Sequence, residues 1–178
     1  MEKSAMKENK MEEKYRIAIV TLSDKGAAGQ REDKSGPLIR SMMETEGYEI
    51  VQMKLLSDEQ KEIKDTLLFL SDVQKVDLIL TTGGTGFSKR DCAPEATLAV
   101  ATRNAPGIAE AMRYASLQIT PRAMLSRGVS VIRNQTLIIN LPGSPKAVKE
   151  NLEYILPALK HGLGILKGTA GECGSNAK

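Results

Sequence analysis

Tryptophan is absent from this chain of 178 residues, phenylalanine occurs twice and tyrosine four times, so aromatic residues make up only 3%. A protein so poor in rings has little with which to stack nucleic acid bases, and its core must be assembled from Ile, Leu, Val, Met and Ala. A dominant sign of charge is also missing. The 25 Lys and Arg nearly balance 22 Asp and Glu, leaving +3, and they are spread along the chain, which argues against nucleic acid binding through a basic stripe and leaves anionic small molecules in view. The two cysteines, Cys92 and Cys173, lie far apart without the spacing of metal ligands, so neither a zinc site nor a structural disulfide is expected. No apolar run is long enough to cross a bilayer, and the charged stretch Met1 to Lys14 lacks signal-peptide character, so we expect a cytoplasmic protein with no membrane partner. The one histidine, His161, stands before Gly162 at an expected helix end and reads as a cap or dipole partner.

What is present is an alternation of apolar runs and helical patterns that fits one α/β domain over residues 14–168, between polar ends 1–13 and 169–178 that are expected to be flexible. Tyr15 to Leu22 and Val76 to Leu80 read as buried strands, and Glu49 to Leu55 as an outer strand with Val51, Met53 and Leu55 on one face. A helix is expected from about Pro37 to Gly47, with Met42 and Met43 as core. Ser57 to Gln60 has the form of a capping box that opens a helix presenting Ile63, Leu67 and Leu70. Helices follow at about Thr97 to Arg103 and Gly107 to Leu117, with a helical turn near Pro121 to Leu125. Gly128 to Ile132 and Thr136 to Asn140 form an antiparallel hairpin beside an otherwise parallel sheet. Ser144 caps and Pro145 begins a helix reaching about Lys160.

The loop Thr81-Thr82-Gly83-Gly84-Thr85-Gly86, between a strand and the Pro94-Glu95 helix start, carries the chemistry. Glycines let a ligand approach the main chain, and free N–H groups at a helix start attract anions. It is not a Walker loop, because Ser88 stands where the second Gly is required, and not a dinucleotide fingerprint, because Lys89 stands at the last glycine. Asp91 is a carboxylate where anions should bind. It would repel them unless a divalent cation lay between, so the sequence points to a phosphate ester with magnesium. If strands 15–22, 76–81 and 136–140 are parallel neighbours, the Ser23-Asp24 loop, the glycine loop and the Pro142-Gly143-Ser144-Pro145 loop converge on one sheet edge.

Thr81 to Glu95 (TTGGTGFSKRDCAPE), Ser126-Arg127 and Thr136 to Val148 (TLIINLPGSPKAV) resemble the molybdopterin adenylyltransferase family, the MogA/MoaB type that includes the gephyrin G domain. The resemblance covers about Tyr15 to Lys167. It implies a three-layer αβα fold with a mostly parallel central sheet, usually assembled as a homotrimer and in some members a hexamer. It further implies transfer of AMP from Mg-ATP to the terminal phosphate of molybdopterin, with release of pyrophosphate, the product passing to a downstream metal-insertion protein. By this resemblance Asp91 and Asp58 are the acidic residues that hold magnesium, although Asp58 reads equally as a first-turn residue after Ser57. Ser23, Asp24, Gly83, Gly84, Thr85, Gly86, Arg90, Gly143 and Ser144 would bind substrate, with Ser126 and Arg127 on the pterin side; Arg90 reads as readily as a partner of Asp91. The chain departs from the family pattern at Ala93, where Thr is usual, so that Asp91 or water must cap the helix, and at Val131 and Asn134, each in place of Gly. A binding module that carries molybdopterin without catalysis is the alternative reading.

Overall fold

The computed structural model describes residues 14–169. The expected tails at 1–13 and 170–178 lie outside them, as does Cys173. Thr169 itself is tied to helix end Gly164 O by its N–H at 2.8 Å.

Six strands form one sheet in the order β2-β1-β3-β6-β5-β4. β1 (Arg16–Leu22), β2 (Glu49–Leu56), β3 (Leu78–Thr82) and β6 (Thr136–Leu141) run parallel, and β5 (Ser130–Arg133) and β4 (Arg103–Asn104) continue antiparallel. The central strands carry long apolar runs because both faces are covered, with buried Thr and Asn side chains only toward their ends. Alternate residues divide between the two layers. Ile17, Ile19, Leu78, Leu80, Leu137 and Ile139 meet α2 (Ser35–Thr45), α5 (Pro106–Leu117) and α6 (Pro145–Lys167). Ala18, Val20, Ile79 and Ile138 meet α3 (Gln60–Leu68), the π-turn Phe69–Val73 and α4 (Ala93–Leu98). The three-layer expectation is met, and each fully buried Ile or Leu contributes about 1.5–3 kcal/mol.

Several local expectations give way to tertiary contacts. Val51, Met53 and Leu55 do not share a face: a register shift opposite Ile17 and Ala18 puts Ile50 and Met53 on one layer and Val51 on the other. The capping box does not form. The Ser57 hydroxyl donates to Glu62 Oε2 at 3.0 Å, and α3 starts only at Gln60, because Asp58 is drawn out to meet the first loop. The helix expected through Arg103 stops at Leu98. The chain turns so that Arg103 and Asn104 pair with Ile132 and Val131.

α6 runs past Lys160 to Lys167, since Leu159 and Leu163 keep its buried stripe, and Gly168 closes it at φ 72°. His161 is therefore inside the helix and not at its end. In the hairpin Asn134 takes the left-handed turn position at φ 52°, and Val131 pairs regularly with Ile138.

One polar group ties the layers together behind the loops. Asn140, only 1% exposed, donates from Nδ2 to the hydroxyls of Thr81 and Thr97, both at 2.9 Å, and accepts from Val129 N–H at Oδ1. Fully satisfied, it joins β6, β3, α4 and the approach to β5 at no desolvation penalty.

Candidate active site

The C-terminal ends of β1, β3 and β6 lie side by side, and the loops that leave them converge as the topology argument expects. The first loop is a single helical turn, α1 (Asp24–Ala27), whose start is capped by Ser23 Oγ accepting from Gly26 N–H at 3.0 Å. Asp24 N–H donates to Asp58 Oδ2 at 3.0 Å, and Asp58 N–H donates back to Asp24 Oδ1 at 2.9 Å. This reciprocal pair welds the first loop to the segment after β2. The Arg90 guanidinium grips both oxygens of Asp24 and reaches Glu59 Oε1 at 2.7 Å, so it is not the partner of Asp91. Arg90 and the Asp58 N–H hold the Asp24 carboxyl down to about 2. The side chains of Ser23, Asp24 and Arg90 are thus engaged with the protein itself.

The glycine loop is shaped by close approach. Gly83 has φ 94°, and a Cβ there would lie 2.3 Å from Leu22 O. Gly84, at φ 65°, faces Asp58 Oδ1 and Ala93 Cβ. The loop then turns back on itself: Asp91 N–H donates to Ser88 O at 3.0 Å and Asp91 Oδ2 accepts from Ser88 N–H at 3.1 Å. Asp91 therefore does not cap α4, whose N-cap is Cys92 with no side-chain bond. Ala93 is fully buried and its N–H donates to Gly84 O at 3.1 Å.

In the third loop Ser144 Oγ accepts from Ala147 N–H at 3.3 Å, as expected of the N-cap of α6. The loop is fastened to its neighbours by Thr82 Oγ1, which donates to Pro142 O at 2.6 Å, and Ser35 Oγ, which donates to Gly143 O at 2.8 Å.

Two clefts open on either side of these loops. The larger, of about 790 Å³, takes in Asp58, Asp91, Gly83, Gly84, Gly143 and Ser144, with the rim of Ser23. The other, of about 290 Å³, takes in Thr85, Gly86 and Ser126 together with Arg113, Arg122, Asn140 and Asn151. The glycine loop and the third loop border both: Gly83, Gly84 and Gly143 line the larger cleft and Thr85, Gly86 and Pro142 the smaller, and the two loops pack closely, since a Cβ at Gly143 would lie 3.3 Å from Gly83 Cα. Arg127, expected on the pterin side with Ser126, instead directs its guanidinium to Gly86 O, Asp91 O and the Glu95 carboxylate.

Sequence reasoning missed one wall of each cleft. Asp33 Oδ1 accepts from Ser35 and Gly36 N–H while Oδ2 accepts from Thr21 Oγ1 at 2.7 Å, so the start of α2 faces the larger cleft beside the start of α6. The N-terminus of α6, with Arg31 and Lys34 on the same cleft, favours a polyanion, while the α2 N-terminus is already satisfied by Asp33. The Asp33-Lys34-Ser35-Gly36 run has capping composition, but nothing local says that it borders a ligand. In the smaller cleft, Arg113 donates to Gly128 O at 2.6 Å and Asn151 to Ala147 O and Ser116 Oγ, contacts that depend on how α5 and α6 pack.

The electrostatics single out Asp58. Its Oδ1 is buried without a hydrogen-bond partner. Burial, with the charges of Asp24 and Asp91 adding to it, pushes its carboxyl above the ordinary 3.8, although the Asp24 N–H pulls the other way. An orphaned carboxylate oxygen in the same cleft as a second carboxylate suits a hard divalent cation, and magnesium is held by one or two carboxylates with the remaining positions filled by water and phosphate. Among the described residues no cluster of three or more His, Cys, Asp or Glu could hold a metal, so the cation would be completed by oxygens of its ligand. Cys92 only donates from Sγ to Asp58 O at 3.5 Å, and burial raises its thiol.

A raised carboxylate pKa destabilises the folded state once pH exceeds that pKa, and the cost disappears as pH falls through it. Asp58→Asn is therefore expected to raise the melting temperature by about 1–3 °C near pH 7, the gain shrinking as the solution is acidified. Thermal scans of both proteins across pH check this; an equal or lower melting temperature for the variant at pH 7 would remove the charge burial assigned to Asp58.

Residues 18–161 match the family described as "Probable molybdopterin binding domain". The chain is 46% identical over 155 residues to a molybdopterin adenylyltransferase of Haemophilus influenzae, covering 86% of this chain and 78% of that one. It is 47% identical over 146 residues to the molybdopterin adenylyltransferase of Escherichia coli, covering 80% and 74%. Among solved structures, the molybdopterin biosynthesis enzyme MoaB of Thermus thermophilus superposes with a TM-score of 0.83 at 46% identity, covering 86% of this chain and 97% of that one.

Proposed function

The chain belongs to the molybdopterin-binding family of molybdenum cofactor biosynthesis, and from that premise we infer that it is a molybdopterin adenylyltransferase, joining AMP from ATP to the terminal phosphate of molybdopterin. The observation that carries the reading is the pair of clefts bordered by the same two loops, with the acidic pair Asp58 and Asp91 in one of them only. The larger cleft, with the N-terminus of α6, suits the nucleotide. The smaller, with Arg113, Arg122, Ser126 and Asn151 over Met112 and Pro142, suits a polar heterocycle bearing a phosphate.

The reaction asks for placement more than for covalent chemistry. A phosphate monoester oxygen of the pterin attacks the α-phosphorus, one P–O bond forms, the bond to the β-phosphate breaks, and pyrophosphate departs with the electron pair. No proton need be removed from an ionised phosphate, so no imidazole base is required. The loops hold two anions at a fixed separation. Gly84 and Gly86 keep side chains out of the space between them, and the start of α6 offers N–H groups to phosphate oxygens, those of Ser35 and Gly36 in α2 being taken by the Asp33 carboxylate. Asp58 and Asp91 would hold magnesium, which when bound supplies positive charge against the polyphosphate.

ATP as co-substrate supports a cytoplasmic setting, and no helix among the described residues is long and apolar enough to cross a membrane. Trimer formation is supported by exposed apolar residues on and after α5, among them Tyr114, Ile119 and Met124, each more than half exposed. The adenylylated pterin would then be consumed by a metal-insertion protein.

The test is pyrophosphate release by the purified protein supplied with molybdopterin, ATP and magnesium, each omitted in turn. Release that needs all three is expected. Tight molybdopterin binding with no release would instead make the protein a carrier.

A further inference from the structure

We propose that Arg127 is a positioning residue that fixes Asp91 in the larger cleft, spanning both ends of the glycine-loop excursion, and is not a ligand of the pterin; the proposal rests on the function inferred above. Between Gly86 and Asp91 the chain leaves all regular structure. Phe87 is 70% exposed, and Ser88, Lys89 and Arg90 are exposed with it. Inside the excursion the two bonds between Ser88 and Asp91 close a turn but attach it to nothing else. Arg127 attaches the main chain of the excursion to the rest of the protein. Arg127 donates from its backbone N–H to Thr85 O at 2.8 Å, from Nε to Gly86 O at 2.7 Å, from Nη2 to Asp91 O at 2.8 Å, and from Nη1 to the Glu95 carboxylate.

The geometry is matched to arginine. Only a planar fork with several fixed donors can hold two carbonyls and a carboxylate at once, and a lysine ammonium cannot reproduce that spacing. The other tether of the excursion is Arg90 on Asp24 and Glu59, built from side chains that are each 41–59% exposed; exposed pairs of this kind stabilise weakly. Arg127 binds main-chain oxygens on either side of the turn, so it sets the distance between Gly86 and Asp91 and with it the direction of the Asp91 carboxylate. Groups that orient a metal-binding carboxylate in this manner typically govern affinity about 10- to 100-fold.

The experiment uses the full chain with Arg127→Ala and, as the variant that keeps charge and bulk, Arg127→Lys. Three quantities are read: binding of Mn2+ in the presence of a non-hydrolysable ATP analogue, followed by the electron paramagnetic resonance of free Mn2+; amide hydrogen exchange over residues 85–91; and molybdopterin affinity. In both variants Mn2+ binding is expected to weaken about tenfold or more, exchange over 85–91 to accelerate, and molybdopterin affinity to fall by clearly less than Mn2+ binding does. Wild-type Mn2+ binding and exchange in Arg127→Lys, or a selective loss of molybdopterin affinity in either variant, overturns the proposal. If the wild-type protein itself releases no pyrophosphate, the functional reading fails, while the Mn2+ and exchange measurements still decide what Arg127 does.

Discussion

Asp91→Asn is expected to slow pyrophosphate release by about 10²–10³-fold or more while leaving the fold and molybdopterin affinity as they are. Asparagine has the size of aspartate and keeps a carbonyl oxygen able to accept the Ser88 N–H, so the turn that holds position 91 survives. What disappears is a full negative charge and an anionic oxygen, the features by which a hard cation is held next to phosphate. The loss should fall on kcat and on the magnesium requirement, and a magnesium series at saturating substrates separates the two. Turnover at the wild-type level would take Asp91 out of the metal site. Acid offers an independent check. Asp24, held at about 2, stays ionised through mild acid, whereas Asp58 is raised above 3.8 and protonates first. Metal affinity should therefore fall with pH before the Asp24–Arg90 pair is disturbed.

Gly83→Ala is expected to be the most damaging single methyl that can be added to the protein's loops. The residue sits at φ 94°, and its new Cβ would lie 2.3 Å from Leu22 O, a backbone atom in the central sheet. Positive φ alone costs a non-glycine residue about 1–2 kcal/mol, and relief of the overlap requires moving β1 or β3; a total of about 3–5 kcal/mol is expected, or about 10 °C in melting temperature. Activity should fall with it, because Leu22 leads directly into Ser23 and Asp24, which position Asp58. Gly162→Ala is the control: it lies within α6 with nothing inside 4 Å of the added methyl, and alanine there should stabilise by about 0.5–1 kcal/mol. Paired thermal melts decide the matter; equal melting temperatures for the two variants would show that the Gly83 backbone relaxes freely.

The parts of the architecture legible in the sequence are those whose cause is local or periodic. Ile17 to Val20 and Leu137 to Ile139 are apolar at consecutive positions because helices cover both faces of their strands, and that pattern reads directly. Ser144 followed by Pro145 announces a helix start by the chemistry of capping. The glycine loop and Asp91 stand out because a carboxylate beside an anion-binding loop needs a reason. What was hidden depends on distant partners. Ser57 and Gln60 satisfy the pattern of a capping box, yet the reciprocal bonds of Asp58 with Asp24 outweigh it. Val51 breaks the alternation of β2 through a shift that only the pairing with β1 reveals. The direction of Arg127 could not be read from Ser126-Arg127, since its acceptors lie 32 to 41 residues away.

The proposed placement of the reactants in two clefts has a consequence for the lifetime of the product. Each reactant would occupy one cleft, but the adenylylated pterin carries both halves and would rest in both at once. Its second set of contacts is made without a second loss of translational freedom, as in any tethered two-headed ligand. Such a molecule is expected to leave more slowly than either reactant, so that departure and not bond formation would limit the steady state. A labile anhydride held in this way would be shielded until a consumer takes it, so two clefts on the same pair of loops would turn a catalyst into a short-term store.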